Sequence, residues 1–174
     1  MKLFITGGAG FIGSNHIKLL LATDPDVSIV NFDALTYAGN LENLTDVATD
    51  PRYRFVRGDI TAVSDVMDAL EEGVDAIVNF AAESHVDRSI ESAADFVRTN
   101  VVGTQVLLDA ARARKIPRFV HVSTDEVMGS LDGVGFFSED TPLAPNSPYA
   151  ASKAAAEHFV RAAVQTHGLD AVIT

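Results

Sequence analysis

Short apolar runs alternate with helix-forming segments along all 174 residues, and this alternation restricts the possible fold more than any other feature. The runs are "KLFIT", "VSIVNF", "YRFV", "AIVNFAA", "RFVHVS" and "DAVIT". Most are continuously apolar, as in parallel strands that are covered on both faces. Strands that alternate with helices form right-handed βαβ units. We therefore predict an α/β fold with a doubly wound parallel sheet, in which ligands bind beyond the carboxyl ends of the strands.

Four segments between the runs have helical patterns. They cover Phe11 to Ala22, Val63 to Leu70, about 89–114 and Pro148 to about His167. Pro117 stops the third helix and opens the next strand. Ser147 can cap the fourth helix, Pro148 suits its first position and Gly168 marks its end.

Composition excludes several classes of function. A formal net charge of −11 offers no electrostatic footprint for nucleic acid or an anionic membrane, so neither is expected as a partner. The absence of cysteine excludes disulfides, thiolate metal sites and a cysteine nucleophile, and no metal site is predicted. No apolar run approaches membrane-spanning or signal-peptide length. With 47% hydrophobic residues, we expect one globular domain over residues 1–174. The lack of cysteine and of a long apolar run favours a cytoplasmic location.

A glycine-rich segment, "TGGAGFIGS", follows the first predicted strand and opens the first helix. Gly8, Gly10 and Gly13 satisfy G-x-G-x-x-G, and Gly7, Gly10 and Gly13 satisfy the related G-x-x-G-x-x-G. Glycines in this context permit a tight turn and let the backbone approach a pyrophosphate at the helix N-terminus. The segment therefore predicts a dinucleotide site.

Asp33 ends the second strand about twenty residues after the last glycine of the motif, where a carboxylate can bind the adenosine ribose. It would repel a 2′-phosphate, and no arginine follows directly in "DALTYAGN". This pattern favours NAD over NADP. The segment "GDI", Gly58 to Ile60, ends the third strand, where an adenine can lie.

Two further patterns carry chemistry. Tyr149 and Lys153 are four residues apart near a helix start, so their side chains share one face. A neighbouring ammonium and a positively charged nicotinamide would lower the pKa of the phenol and make it a usable base. In "STDEV", Asp125 and Glu126 follow a predicted buried strand, where adjacent carboxylates are costly unless one is protonated or both are solvated.

The chain resembles the nucleotide-sugar branch of the extended short-chain dehydrogenases/reductases, and within it the dTDP-glucose 4,6-dehydratases. The matching segments are "TGGAGFIGSN", "LTYAGNLENL", "NFAAESHVDRSI", "HVSTDEV" and "NSPYAASKAAAEH", which together cover nearly the whole chain. The glycine motif and Tyr-x-x-x-Lys are shared widely, whereas "STDEV" is more specific. The resemblance implies an NAD-binding Rossmann fold, tightly bound NAD and dTDP-glucose as substrate.

The resemblance also assigns roles in a dehydration. Tyr149 takes the proton of the 4-hydroxyl, aided by Lys153 and Thr124, while hydride passes from C4 to NAD. Glu126 then removes the C5 proton, which the C4 carbonyl has acidified, and Asp125 protonates the departing 6-hydroxyl. Hydride returns to C6 and gives dTDP-4-keto-6-deoxyglucose. One acid must be protonated and the other ionised, a division that close carboxylates favour.

The remaining roles are implied by the same resemblance. Ser84 and Thr124 are expected to contact the sugar. His85, Asp87 and Arg88 are interpreted as a polar loop with one substrate contact rather than a metal site or triad. The residues expected to bind the cofactor are Gly7, Gly10, Phe11, Ile12, Gly13, Asp33, Ala34, Leu35, Thr36, Asp59, Ile60, Phe80, Ala81, Ala82, Ser84, Thr99, Tyr149 and Lys153.

The chain departs from the family pattern in two ways. Met128 stands where the family usually has tyrosine, which removes a hydroxyl beside the acids. The family also continues for roughly as many residues again, so a truncated protein is expected, with the C-terminal substrate domain missing and little activity in the 174-residue fragment. The small residues of "YAASKAAAEHFVRAA" suggest a homodimer. A UDP-glucose 4-epimerase or decarboxylase type, and a non-catalytic NAD-binding module, remain the alternatives.

Overall fold

The computed structural model describes residues 1–131 and 133–174. Six parallel strands form one sheet in the order β3-β2-β1-β4-β5-β6. The strands are β1 (Lys2–Thr6), β2 (Ser28–Asp33), β3 (Tyr53–Arg57), β4 (Ala76–Asn79), β5 (Arg118–His121) and β6 (Ala171–Ile173). The predicted doubly wound parallel sheet is thus confirmed.

The helices connect these strands in the predicted alternation. They are α1 (Phe11–Thr23), α2 (Val63–Ala69), α3 (Val86–Glu91), α4 (Ala94–Phe96), α5 (Thr104–Arg114) and α6 (Pro148–His167), with a π-helical segment at Val97–Gly103 and 3₁₀ segments at Leu41–Val47 and Asp125–Met128. No helix in the described ranges is both long and apolar enough to cross a membrane.

The predicted helix at about 89–114 is interrupted. The helix α3 ends at Glu91, and Ser92 has an extended backbone with φ −152° before helical structure resumes at Ala94. Serine competes for backbone hydrogen bonds and tolerates a helix boundary well. The apolar positions at helical spacing, Val97 to Ala111, all lie after this break, so their periodicity carries no information about it.

The apolar strands are covered on both faces. On β1, Phe4 packs into one cluster with Val66 of α2 and Leu107 of α5, whereas Leu3 and Ile5 pack into the other cluster. That second cluster includes Ile17 of α1 and Leu44 of the first 3₁₀ segment. Successive residues of one strand therefore enter opposite layers, which is why the strand sequences are continuously apolar.

The strand order reverses beside β1. The chain runs from β1 to β2 and β3 on one side, and β4 to β6 extend the sheet on the other. The connections that follow β1 and β4 therefore leave the sheet on opposite faces and open a crevice at its carboxyl edge.

Candidate active site

A crevice of about 410 Å³ lies at the carboxyl ends of the strands. Sixteen of the residues predicted to bind cofactor or substrate line it: Gly7, Gly10, Phe11, Ile12, Gly13, Asp33, Ala34, Thr36, Asp59, Ile60, Phe80, Ala81, Ala82, Ser84, Tyr149 and Lys153. The structure therefore brings the glycine motif, Asp33 and the Tyr–Lys pair into one cavity.

Five predicted site residues do not line this crevice: Leu35, Thr99, Thr124, Asp125 and Glu126. Leu35 lies in the adjoining loop, where its backbone has φ 55°, and Thr99 is half-buried in the π-helical segment. The other three lie beyond β5, and their relation to Tyr149 is described below. Six lining residues were not among the predicted site residues: Phe32, Ala38, Gly39, Gly58, Val122 and Ser123. Phe32, Gly58, Val122 and Ser123 lie at or directly after the end of a strand, which was the available signal. Ala38 and Gly39 lie further along the loop after β2, where strand-end position gives no signal.

The glycine turn lets two backbone segments approach closely. Gly7 has φ +68°, and a Cβ built there would lie 2.5 Å from the backbone nitrogen of Ala81. A Cβ at Gly13 would collide with the carbonyl oxygen of Gly7. Gly10 precedes α1 without a side-chain cap, so the first backbone N–H groups of this helix have no side-chain acceptor there. Such a donor set at a helix N-terminus suits a pyrophosphate.

Asp33 fixes the loop that borders the turn. Its Oδ2 accepts a hydrogen bond from the backbone N–H of Ala9 at 2.9 Å, and its Oδ1 accepts one from Leu35 at 2.8 Å. The residue is only 8% exposed. A carboxylate has about four acceptor positions, so both oxygens can still accept from ribose hydroxyls.

Lys153 lies on α6, which begins with a cap from the Ser147 hydroxyl to the backbone N–H of Ala150 at 3.0 Å. The lysine is buried, and its Nζ donates a hydrogen bond to the carbonyl oxygen of Val122 at 2.6 Å. Burial lowers the pKa of Lys153 to about 8, and the negative charge of Glu157 partly opposes that decrease.

The pKa of Tyr149 is raised above its usual value, mainly because the phenol is buried. The negative charges of Glu126 and then Asp125 raise it further, whereas a hydrogen bond with Thr124 lowers it. Lys153 is not among the groups that shift this pKa, and the lowering expected from the ammonium together with a bound nicotinamide remains a prediction. Desolvation of the phenolate outweighs the favourable contacts, and the ammonium is directed at a backbone carbonyl instead.

The adjacent acids of "STDEV" lie at the start of the 3₁₀ segment Asp125–Met128. Thr124 caps this segment, because its Oγ1 accepts a hydrogen bond from the backbone N–H of Glu126 at 3.3 Å. Both carboxylates are exposed, which explains how two neighbouring like charges are tolerated. Their effect on Tyr149 shows that they lie within electrostatic reach of the phenol.

Asn100 is a buried residue that the sequence analysis did not identify. Its Oδ1 accepts from the backbone N–H of Glu83 at 2.8 Å, and its Nδ2 donates to the Glu83 carbonyl at 2.9 Å and to Ser152 Oγ at 2.8 Å. Ser152 in turn donates to the carbonyl of Tyr149 at 2.7 Å. The π-helical segment thus joins the loop after β4 to the helix that carries Tyr149.

A second buried network lies beneath the crevice. Thr6 donates to Asn79 Oδ1 at 2.6 Å, and the amide nitrogen of Asn79 lies 3.2 Å from Nδ1 of His121. Burial and the charge of Lys153 lower the pKa of His121 to about 3, so the imidazole is neutral. The network therefore joins the ends of β1, β4 and β5 without adding a charge below the site. The described residues contain no cluster of three or more metal-ligating side chains.

The comparisons with known proteins agree with this geometry. The family model described as GDP-mannose 4,6 dehydratase matches residues 4–174. A dTDP-glucose 4,6-dehydratase of Streptomyces niveus is 54% identical over 178 aligned positions, which span 100% of this chain and 52% of that protein. The chain therefore spans about half the length of the curated relatives it matches.

Among solved structures, a dTDP-glucose 4,6-dehydratase is more similar to this chain than a 4-epimerase is. The crystal structure of the dTDP-glucose 4,6-dehydratase DesIV of Streptomyces venezuelae, with NAD and TYD bound, matches with a TM-score of 0.95 and 55% identity over 99% of this chain and 54% of that one. A UDP-Glc/GlcNAc 4-epimerase of Campylobacter jejuni matches with a TM-score of 0.90 but only 31% identity, over 99% and 52% of the two chains. The chain belongs to the GDP-mannose 4,6 dehydratase family, and within that family it is similar to dTDP-glucose 4,6-dehydratases.

Proposed function

We propose that residues 1–174 form the NAD-binding and catalytic domain of a dTDP-glucose 4,6-dehydratase, an NAD-dependent hydro-lyase. One observation carries this proposal: the crevice joins a glycine turn to the Tyr149–Lys153 pair, and two adjacent acids lie within electrostatic reach of the tyrosine. The similarity to dTDP-glucose 4,6-dehydratases over the whole of this chain supports the choice of reaction.

The residues of the crevice fit NAD. The uncapped N-terminus of α1 and the glycine turn would hold the pyrophosphate, Asp33 the adenosine ribose, and Asp59 and Ile60 the adenine. Asp33 would repel a 2′-phosphate, which favours NAD over NADP. When bound, NAD supplies a positively charged nicotinamide that takes a hydride from C4 of the sugar and returns it at C6. Leu35, Thr36 and Thr99 complete the proposed contacts.

The first chemical role belongs to Tyr149. Its phenolate would accept the proton of the 4-hydroxyl as C4 is oxidised, and Thr124 would bond to the same oxygen and to the sugar. The raised pKa makes the phenol of Tyr149 a weaker acid than an ordinary tyrosine, so a nearby positive charge is needed to stabilise the phenolate. The nicotinamide of bound NAD would supply such a charge, and the ammonium of Lys153, on the same helix face, would add to it.

The second role belongs to the adjacent acids. Oxidation at C4 acidifies the C5 hydrogen, which Glu126 would remove as a proton and return to C5 when the hydride is added at C6. Asp125 would protonate the 6-hydroxyl, so that the C6–O bond breaks and water leaves. In this division one carboxyl group is ionised and the other protonated before elimination. Their exposure in the 3₁₀ segment leaves both side chains free to reach a sugar, and Ser84 at the crevice would contact it from the other side.

Two finer parts complete the proposal, a cytoplasmic location and a homodimer. The absence of cysteine is compatible with a reducing compartment. Phe159 on α6 and Val102 in the π-helical segment are 43% and 47% exposed, which leaves apolar side chains available for a second copy. Analytical ultracentrifugation of the chain and of a Phe159→Glu variant tests the dimer, since the variant should sediment as a monomer.

The reaction is tested with these 174 residues and with any longer product of the gene. Each is incubated with NAD and dTDP-glucose, and the product is examined by mass spectrometry and by its alkaline absorbance. A dehydratase yields a 4-keto sugar that has lost one water, whereas a 4-epimerase leaves C6 hydroxylated. A longer product that turns over no nucleotide sugar would contradict the enzymatic proposal and leave an NAD-binding module.

The roles of the acids are tested by Asp125→Asn and Glu126→Gln. Both should slow elimination by about 10² or more while NAD remains bound. The matched control is Glu139→Gln with Asp140→Asn, because these are also adjacent exposed acids but do not line the crevice. An elimination rate unchanged in the first two variants would remove their assigned roles.

A further inference from the structure

An aromatic–cation contact joins two segments that border the crevice, the loop after β2 and the helix α3. The guanidinium carbon of Arg88 lies 4.3 Å from the centroid of the Tyr37 ring, and the His85 ring lies 6.5 Å from the same ring. Tyr37 belongs to the loop after β2, whereas Arg88 is in α3 after β4. Because β2 and β4 flank β1 on opposite sides, this contact crosses over the end of β1.

The loop that carries Tyr37 is fixed at both ends. At one end Leu35 donates to Asp33, and at the other the backbone N–H of Asn40 donates to the carbonyl of Ala9 at 3.0 Å. Tyr37 lies between these anchors and is 50% exposed, while its two neighbours in sequence line the crevice. The tyrosine therefore projects from a loop whose base is attached to the glycine turn.

The opposite side is also fixed. Ser89, the residue after Arg88, accepts a hydrogen bond from the backbone N–H of Tyr149 at 3.2 Å and donates one to the carbonyl of Val86 at 2.6 Å. The helix α3 is thus attached to the start of α6. Between two fixed segments, the exposed side chains of Tyr37 and Arg88 are the parts that can separate without unfolding either segment.

We propose that the Tyr37–Arg88 pair is a clasp that closes the crevice over the bound dinucleotide and slows its entry and its exit. The inference rests on the proposed function for the identity of the ligand, NAD. In that reaction the hydride returns to the substrate, so the cofactor does not have to leave between turnovers. A clasp that opens rarely is compatible with such chemistry, whereas an enzyme that must exchange its cofactor every cycle would be slowed by it.

The clasp is tested by the kinetics of NAD binding to the 174-residue chain. Labelled NAD is bound, chased with excess unlabelled NAD, and the bound fraction is followed in time. Tyr37→Ala and Arg88→Ala should each accelerate release about two- to fivefold, the factor that corresponds to one exposed cation–π contact. Association should accelerate by the same factor, so the Kd stays constant. Tyr37→Phe keeps the ring and should release NAD at the wild-type rate.

The double variant distinguishes a clasp from two separate effects. If the side chains act through each other, Tyr37→Ala combined with Arg88→Ala releases NAD no faster than either single variant. Three results would each overturn the clasp. The single variants could release NAD at the wild-type rate, or the acceleration factors of the single variants could multiply in the double variant. Release could also become faster while the association rate stays unchanged. Failure of the wild-type chain to bind NAD would instead overturn the cofactor proposal, and the clasp with it.

Discussion

The ammonium of Lys153 donates a hydrogen bond to the carbonyl oxygen of Val122, 2.6 Å away. This bond attaches α6 to the end of β5, at the residue before Ser123 of the crevice. It also places a charged group where water is scarce, since Lys153 is 4% exposed. The burial that holds the Lys153 side chain in place also disfavours its charged form, and it lowers the pKa of Lys153 to about 8.

That low pKa predicts an alkaline rise in stability. Between pH 8 and the ordinary lysine pKa near 10.5, the unfolded state binds more protons than the folded state, so the free energy of unfolding increases with pH. The slope attributable to Lys153 should approach about 1 kcal/mol per pH unit. Urea unfolding between about pH 8 and pH 10 measures it. Lys153→Met should remove this slope and the exposed Lys115→Met should keep it; equal slopes in all three proteins would contradict the assignment.

The close approach of the glycine turn to Ala81 predicts different costs for two glycine substitutions. Gly7 and Gly73 both have positive φ, +68° and +74°, so alanine at either should cost about 1–2 kcal/mol of backbone strain. Only at Gly7 would the new Cβ meet backbone atoms, which should add about 1–3 kcal/mol. Urea unfolding compares the variants, and NAD titration should show weaker binding only for Gly7→Ala. Equal losses would refute the steric argument.

The influence of Glu126 on Tyr149 can be measured without turnover. Glu126→Gln removes a negative charge that disfavours the phenolate, so the pKa of Tyr149 should decrease towards its usual value. Tyrosinate absorbance is followed against pH in each protein and in its Tyr149→Phe counterpart, and the difference isolates this phenol from Tyr37 and Tyr53. Glu139→Gln serves as the control. An unchanged midpoint in Glu126→Gln would place the carboxylate too far from the phenol to act on it.

Local patterns predicted the fold and most of the crevice because both depend on features that neighbouring residues encode. Continuous apolar strands indicated a sheet covered on both faces, and strand ends located Gly7, Asp33 and Phe80 at one edge. The pKa values of the site residues were harder to predict from the sequence. The pKa of Tyr149 depends on how deeply the phenol is buried, and the spacing of Tyr149 and Lys153 along a helix carries no information about that depth.

Long-range hydrogen bonds were also beyond the reach of local patterns. The partners of Asn100 are 17 and 52 positions away in the sequence. A lone asparagine in a predicted helix gives no indication of which loop it binds. The same holds for the contact between Tyr37 and Arg88, which only the strand order brings together.

Asn100 is therefore the residue whose substitution best tests the supporting structure. Asn100→Ala leaves the part-buried backbone N–H and carbonyl of Glu83, and the Ser152 hydroxyl, without this partner, which should cost about 2–4 kcal/mol of unfolding free energy. Asn15 offers a matched control, since its exposed amide makes one bond to the Phe11 carbonyl, and Asn15→Ala should cost below about 0.5 kcal/mol. Hydrogen exchange should increase at the amide of Glu83 in the first variant alone. Equal protection of that amide in both variants would mean that the loop after β4 is held by something other than Asn100.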